Sequence, residues 1–252
     1  MSVQRLRGIP GFNIDRVAAA AGEDPDVLRM ENLDTDVRPP AAAIAATRDA
    51  LDQDEANSWL PFTGRDDLKE TIAAYIERRG GPLYDGRREA VITSGEGDAM
   101  LDALFCLTDP GDEVILTDPT YAGMINRVRL VGAVPRLARL QVADGEWRLD
   151  LDALRAAASD RTRVVFINNA SFPTGWVASD EEWDAIADLC RERDLWLLYW
   201  LVEKVAATPM RGWGGEVAER HVRFVFSSEP VERLRLLGDR VRAALAAAGG
   251  TA

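Results

Sequence analysis

Three short runs carry the residue types from which a ligand site is built. In Thr93-Ser94-Gly95-Glu96-Gly97-Asp98-Ala99, glycines stand where an extended run gives way to a helical pattern. Backbone N–H groups in such a turn can converge on an anion, and a helix N-terminus adds about half a positive charge in its favour. The same run also reads as an ordinary tight turn between a strand and a helix, and on its own residues both readings stand. Asp118-Pro119-Thr120-Tyr121 offers an aromatic ring that could stack on a flat heterocycle or simply pack at a helix start. Asn168-Asn169-Ala170-Ser171-Phe172-Pro173-Thr174-Gly175 adds a third polar, turn-rich loop. A dinucleotide fingerprint fails, because Met100 stands where Gly95-x-Gly97-x-x-Gly needs its third glycine.

Other chemistries find little support. His221 is the single histidine, so His-rich metal sites are excluded and a Ser-His-Asp triad would hang on one residue beside Arg223. Cys106 and Cys190 fall inside apolar helical patterns and are expected to be buried, reduced thiols, which fits the cytoplasm. The two lysines, Lys69 in an early helix and Lys204 near the end of the chain, both read as solvated.

The three runs need elements to hold them. Short β-branched stretches at Ala90–Thr93, Glu113–Thr117, Val134–Leu140, Arg163–Asn168 and Leu195–Tyr199 read as strands. Helical patterns near Asp98–Cys106, Tyr121–Leu130, Leu151–Ala157 and Asp180–Arg193 lie between them. Such alternation predicts an α/β fold with a mostly parallel sheet, and all three polar loops then meet at its carboxyl edge. Earlier, Pro40–Leu51 and Arg65–Arg79 read as helices joined by the Pro61-Phe62-Thr63-Gly64 turn, with Asp66 and Asp67 suited to a helix N-terminus. Later, Gly212, Gly214 and Gly215 mark a loop before a strand at His221–Phe226 and a helix at Val231–Ala248.

The chain has 252 residues, 47% of them hydrophobic, enough for a large domain and a smaller one. A net charge of −12 repels phosphate backbones and anionic lipid, so neither nucleic acid nor a membrane is an expected partner. Nothing resembles a targeting segment: Arg5 and Arg7 have no apolar run behind them, and no stretch is long enough to span a bilayer.

In order, Trp59-Leu60-Pro61-Phe62-Thr63-Gly64, Thr93-Ser94-Gly95, Pro110-Gly111-Asp112-Glu113-Val114, Asp118-Pro119-Thr120-Tyr121 and Pro173-Thr174-Gly175 resemble the class I/II, fold-type I aminotransferases that depend on pyridoxal phosphate. The resemblance covers about Pro25 to Trp200 and resumes from about Leu201 to Leu245. It implies an N-terminal arm (1–39), a partial large α/β domain (40–200) and a partial small α+β segment (201–252). It further implies that Gly95, Glu96 and Gly97 cradle the pyridoxal 5'-phosphate phosphate group and that Tyr121 stacks on its ring. Arg223 would grip a substrate carboxylate, a task for which the planar guanidinium fork is suited. An amino acid and a 2-oxo acid are the implied substrates, and a homodimer the implied assembly.

The family pattern then breaks. Val205-Ala206-Ala207-Thr208-Pro209-Met210 resembles late small-domain sequence, yet it begins five residues after Tyr199-Trp200, so the loop carrying the family's catalytic lysine is missing. That reads as an internal deletion. Trp200 stands where the aspartate facing the pyridine nitrogen would be, and Phe172 replaces the asparagine facing the cofactor phenolate. Asn168 or Asn169 could substitute, and Asn169 is taken as the cofactor residue. Trp59 takes the place of a tyrosine that would reach a neighbouring subunit. The deletion should also leave Ala90–Thr93 without pairing neighbours and the remaining sheet with an open edge. Amino-group transfer is thus the family activity, with no catalytic residue assigned here. Three states remain for the chain: an active enzyme, a non-catalytic remnant that binds pyridoxal phosphate, another ligand or a partner, and an inactive truncated product.

Overall fold

The computed structural model describes residues 13–24, 26–30, 38–78 and 81–201, with isolated positions before residue 13. The chain divides into two compact units, one of residues 37–102 and one holding the remainder. Helix α1 (Asn13–Ala21) belongs to the latter.

The unit of residues 37–102 is made of short helices. Helix α2 (Ala41–Leu51) buries none of its residues. Helix α3 (Asp66–Arg78) opens with Asp66 and Asp67, whose charges suit the positive end of the helix. One-turn helix α4 (Gly86–Glu89) is capped by Asp85, whose carboxylate accepts from the Arg87 N–H at 3.1 Å. Gly86 lets α4 approach α3 closely: a β-carbon there would stand 2.6 Å from the Lys69 carbonyl oxygen.

Lys69 is not solvated as the sequence suggests; only 2% of it is exposed. Its ammonium pairs with Asp66 at 2.9 Å and donates to Thr63 Oγ1 at 3.1 Å and to the Arg87 carbonyl at 3.3 Å. The turn before α3, the first residue of α3 and the backbone of α4 thus supply the oxygens that replace water around a buried cation. Ala90–Thr93, expected as a strand, forms no ladder among the described residues. Instead the Ile92 N–H donates to the Thr63 carbonyl at 3.0 Å. A strand exists only through its partners, and here the extended run lies against a turn instead.

Helix α5 (Glu96–Leu107) leads into the sheet. Cys106 near its end is exposed, against expectation, while Cys190 is buried as expected, and burial raises its thiol pKa. An apolar pattern fixes which residues alternate around a helix but not which face meets a neighbour.

The second unit holds β1 (Glu113–Asp118), α6 (Ala122–Leu130), β2 (Val134–Ala143), β3 (Glu146–Leu149), α7 (Leu151–Ala157), β4 (Thr162–Asn169), α8 (Asp180–Arg193) and β5 (Trp196–Leu201). Strand order is β3-β2-β1-β4-β5, with β2, β1, β4 and β5 parallel and β3 antiparallel to β2. This is the α/β, mostly parallel sheet the alternation predicts. Strand β1 is buried throughout, as a strand covered on both faces must be. Ile115, Leu140, Val165 and Ile167 share a core with Leu154 of α7 and Ile186 of α8.

Strand β3 is absent from the sequence reading. Ala143 pairs with Glu146 across Asp144-Gly145, both at positive φ (53° and 79°), the two-residue turn that Asp-Gly favours between antiparallel strands. At the amino end of β1 lies a satisfied charge. Glu113 is buried, with Ser159 Oγ and Arg161 Nη2 each donating to it at 2.6 Å. Those bonds hold its carboxyl below the ordinary range, the Ser159 hydroxyl contributing most.

Candidate functional site

The chain leaves β1 toward β2 on one side and later enters β4 on the other side of β1. At the carboxyl ends of β1 and β4 the connections diverge to opposite sides, the topological switch point at which open α/β sheets bind ligands. Thr120 and Tyr121 follow β1; Asn169, Ser171 and Phe172 close β4 and follow it. The sequence-predicted Tyr121 and Asn169 therefore come to one edge.

This edge differs from the amino end in its polar accounting. The hydroxyls of Thr120 and Ser171 are buried and have no hydrogen-bond partner among the described residues. A buried hydroxyl without a partner costs about 1–3 kcal/mol, so two at one edge mark it as a place built to meet something polar. Both lie within the runs singled out by sequence, but nothing in residue type shows that a hydroxyl will be buried.

Tyr121 sits at the N-cap of α6, and its half-buried ring has several close neighbours. Phe172 meets it edge-on at 5.8 Å, and the Trp200 indole lies tilted against it at 5.3 Å and 56°. The Arg127 guanidinium stands 5.9 Å from its centre, and a β-carbon on Gly123 would come within 2.5 Å of it. Asn168 joins the two aromatic neighbours: its Oδ1 accepts from the Phe172 N–H at 2.5 Å, and its Nδ2 donates to the Trp200 carbonyl at 3.4 Å. Asn169 turns to its own loop, accepting from the Ala178 N–H at 3.0 Å.

Gly95, Glu96 and Gly97 lie in the other unit, at the start of α5. Gly95 adopts φ +87°, a conformation that favours glycine, and the space where its β-carbon would stand is open. Asp98 reaches back, its carboxylate accepting from the Ser94 N–H at 3.3 Å. A carboxylate of the chain itself thus holds one donor of the turn. Arg223 and Lys204 lie outside the described residues, as do the strand and helix expected at His221–Phe226 and Val231–Ala248.

These residues do not fit a pyridoxal ring. Two other rings, those of Trp200 and Phe172, already stand with their centres 5.3 and 5.8 Å from that of Tyr121. The residue after Tyr199 on β5 is an indole rather than a carboxylate. Lys69, the one lysine among the described residues, is enclosed by Asp66, Thr63 and Arg87. Nor do the described residues hold a cluster of three or more His, Cys, Asp or Glu side chains that could bind a metal. None of their helices is long and apolar enough to cross a membrane.

A family model described as aminotransferase class I and II matches residues 28–199. A probable N-succinyldiaminopimelate aminotransferase DapC of Mycobacterium tuberculosis is 31% identical, with 88% of this chain and 57% of the relative covered. An LL-diaminopimelate aminotransferase of Desulforudis audaxviator is 29% identical over 76% of this chain and 50% of the relative. Among solved structures, the M. tuberculosis N-succinyldiaminopimelate aminotransferase superposes with a TM-score of 0.74 at 31% identity, covering 79% of this chain and 51% of that one. The chain thus spans about half the length of the relatives it matches.

Proposed function

The chain belongs to the class I and II aminotransferase family, and on that premise we propose that it is a non-catalytic member, unable as it stands to transfer an amino group. In the family, pyridoxal phosphate supplies an aldehyde and an electron-poor ring, and a lysine amine holds the aldehyde and moves the proton. The observation carrying the proposal is Lys69, whose ammonium is buried and bonded to three oxygens. Freeing that amine for covalent chemistry would break all three contacts. Lys204, five residues after Tyr199, stands outside the family's lysine loop.

What the chain retains is a framework for small-molecule binding. Gly95, Glu96 and Gly97 are the phosphate-side residues, with open space above Gly95 and Asp98 as a competing anion. Asn169 adds a polar side chain at the sheet edge, its oxygen engaged by the Ala178 N–H, and Arg223 is the carboxylate grip. The relatives' names point to diaminopimelate derivatives as substrates, and the class carried over is an amino acid with its 2-oxo acid. A homodimer is the proposed assembly, to be checked by sedimentation.

The test incubates the purified chain with pyridoxal phosphate, glutamate and a panel of 2-oxo acids, then reduces it with borohydride before peptide mass mapping. No amino transfer and no cofactor adduct on Lys69 or Lys204 are expected. Turnover abolished by replacing either lysine overturns the proposal.

A second reading, a truncated product without independent activity, is favoured by the described β5 edge. Trp196 and Tyr199 are exposed there, and Leu197 with them. Apolar side chains on an unpaired edge invite aggregation. A cooperative thermal transition in a monodisperse sample would refute it.

A further inference from the structure

We infer that Trp200 is an internal plug: its indole fills the slot beside Tyr121 at the β1/β4 switch point, so the chain excludes a pyridine-type heterocycle from the place its fold offers for one. The inference rests on the family reading above for the identity of the excluded ring, and on geometry for the rest.

Three observations converge. The β4–β5 register pairs Trp200 with Asn168, which sets Trp200 near the carboxyl ends of the strands, at the switch point. The indole and phenol centres are 5.3 Å apart, within the range at which aromatic rings attract each other. Asn168, itself 2% exposed, is bonded both to the Trp200 carbonyl and to the Phe172 N–H, so one buried amide fastens the plug and its neighbour. The unpartnered hydroxyls of Thr120 and Ser171 belong to the segments that follow β1 and β4. An indole offers one N–H donor and no acceptor matched to two hydroxyls, whereas a heterocycle bearing oxygen substituents would offer several.

The probe is pyridoxine, which has the pyridine ring and its oxygens but no aldehyde to react with amines and no phosphate. Equilibrium dialysis on the full chain should show no saturable binding to wild type. Trp200→Ala should bind saturably, with a Kd at least about tenfold below the highest pyridoxine concentration at which wild type shows none, a gap of about 1.4 kcal/mol. Trp200→Phe, which keeps a ring in the slot, should bind less than Trp200→Ala. Adding Tyr121→Leu to Trp200→Ala should abolish the gain. Saturable binding to wild type, no gain in Trp200→Ala, or a gain that survives Tyr121→Leu overturns the plug.

If Trp200→Ala does not fold, near-ultraviolet circular dichroism of the other variants decides. Tyr121→Leu and Trp200→Phe should each erase the same aromatic band, and independent changes overturn the inference. Inorganic phosphate serves as the separate arm for the Gly95–Gly97 loop. Its failure to bind would fell the phosphate-side reading and leave the plug standing.

Discussion

The sheet unit and the unit of residues 37–102 solve burial in opposite ways. In the sheet unit the interior is apolar: Val114, Leu116, Val164, Phe166 and Ile167 are all buried, and charges such as Glu113 are matched at the ends. Among the described residues of the other unit the largest enclosed side chain is a lysine, while Trp59, Phe62 and Leu83 are 83%, 91% and 79% exposed. One is held by apolar area removed from water, which is non-directional and tolerant. The other depends on a cation whose three oxygens must all be in place. The difference teaches that matching a family pattern, which runs through both units from residue 28 to 199, does not make their stability alike in kind.

The largest expected effect attacks the apolar side of that comparison. Phe166→Ala removes a ring that is 1% exposed from a central strand, and such truncations cost about 3–5 kcal/mol. Urea unfolding followed by far-ultraviolet circular dichroism should show the midpoint falling steeply. A loss below about 1 kcal/mol would mean the sheet is not held by its core.

Lys69→Met sharpens the other side. It keeps the length of the stem but leaves the Arg87 carbonyl and the Thr63 hydroxyl without their donor, at about 1–3 kcal/mol. Limited proteolysis should nick the variant within residues 37–102 before the sheet is cut. If Lys69→Met instead leaves cleavage unchanged, the lysine is incidental and the contrast between the units dissolves.

Sequence made the sheet legible because its signals are local. The run Val164–Ile167 is apolar and β-branched-rich, and Asp180–Arg193 matches the observed α8 at both ends. Its start is written in Ser179 and Glu182, a capping box in which each satisfies the other's backbone N–H. Asp144-Gly145 also announced a hairpin, and β3 could have been read from it. Lys69 could not, since its burial is decided by α4 and Thr63, contacts that charge and helix period do not encode. At the candidate site, Tyr121 and Asn169 were legible as residues of the edge, and Trp200 as a departure from the family pattern. That the indole would lie against Tyr121 depends on the register of β4 with β5, which only the folded sheet fixes.

A smaller effect tests whether this legible cap matters. Ser179→Ala removes the hydroxyl that accepts from the Glu182 N–H and should cost about 1 kcal/mol. Amide exchange should quicken in the first turn of α8. Glu182→Ala should cost more, because its carboxylate also accepts from the Leu149 N–H at 2.5 Å and lies within 3.3 Å of Trp176 Nε1, both buried contacts.

The smallest effect at neutral pH has the clearest signature in acid. The Glu113 carboxyl is held below its ordinary range chiefly by the Ser159 hydroxyl, with the Arg161 guanidinium adding to it against the cost of burial. A carboxyl whose pKa is lower folded than unfolded contributes stability that is complete above the unfolded value, about 4.3. That contribution fades as pH falls through the folded value. Glu113→Gln retains the shape and an acceptor for Ser159 but has no charge to lose. The stability gap between wild type and variant should therefore be steady from pH 7 to about 5 and narrow steadily in stronger acid. A gap that stays constant to pH 3, measured by urea unfolding at each pH, would mean that Glu113 is held by shape alone. The amino end of β1 would then not be the charge-matched counterpart of the unsatisfied edge beside Tyr121.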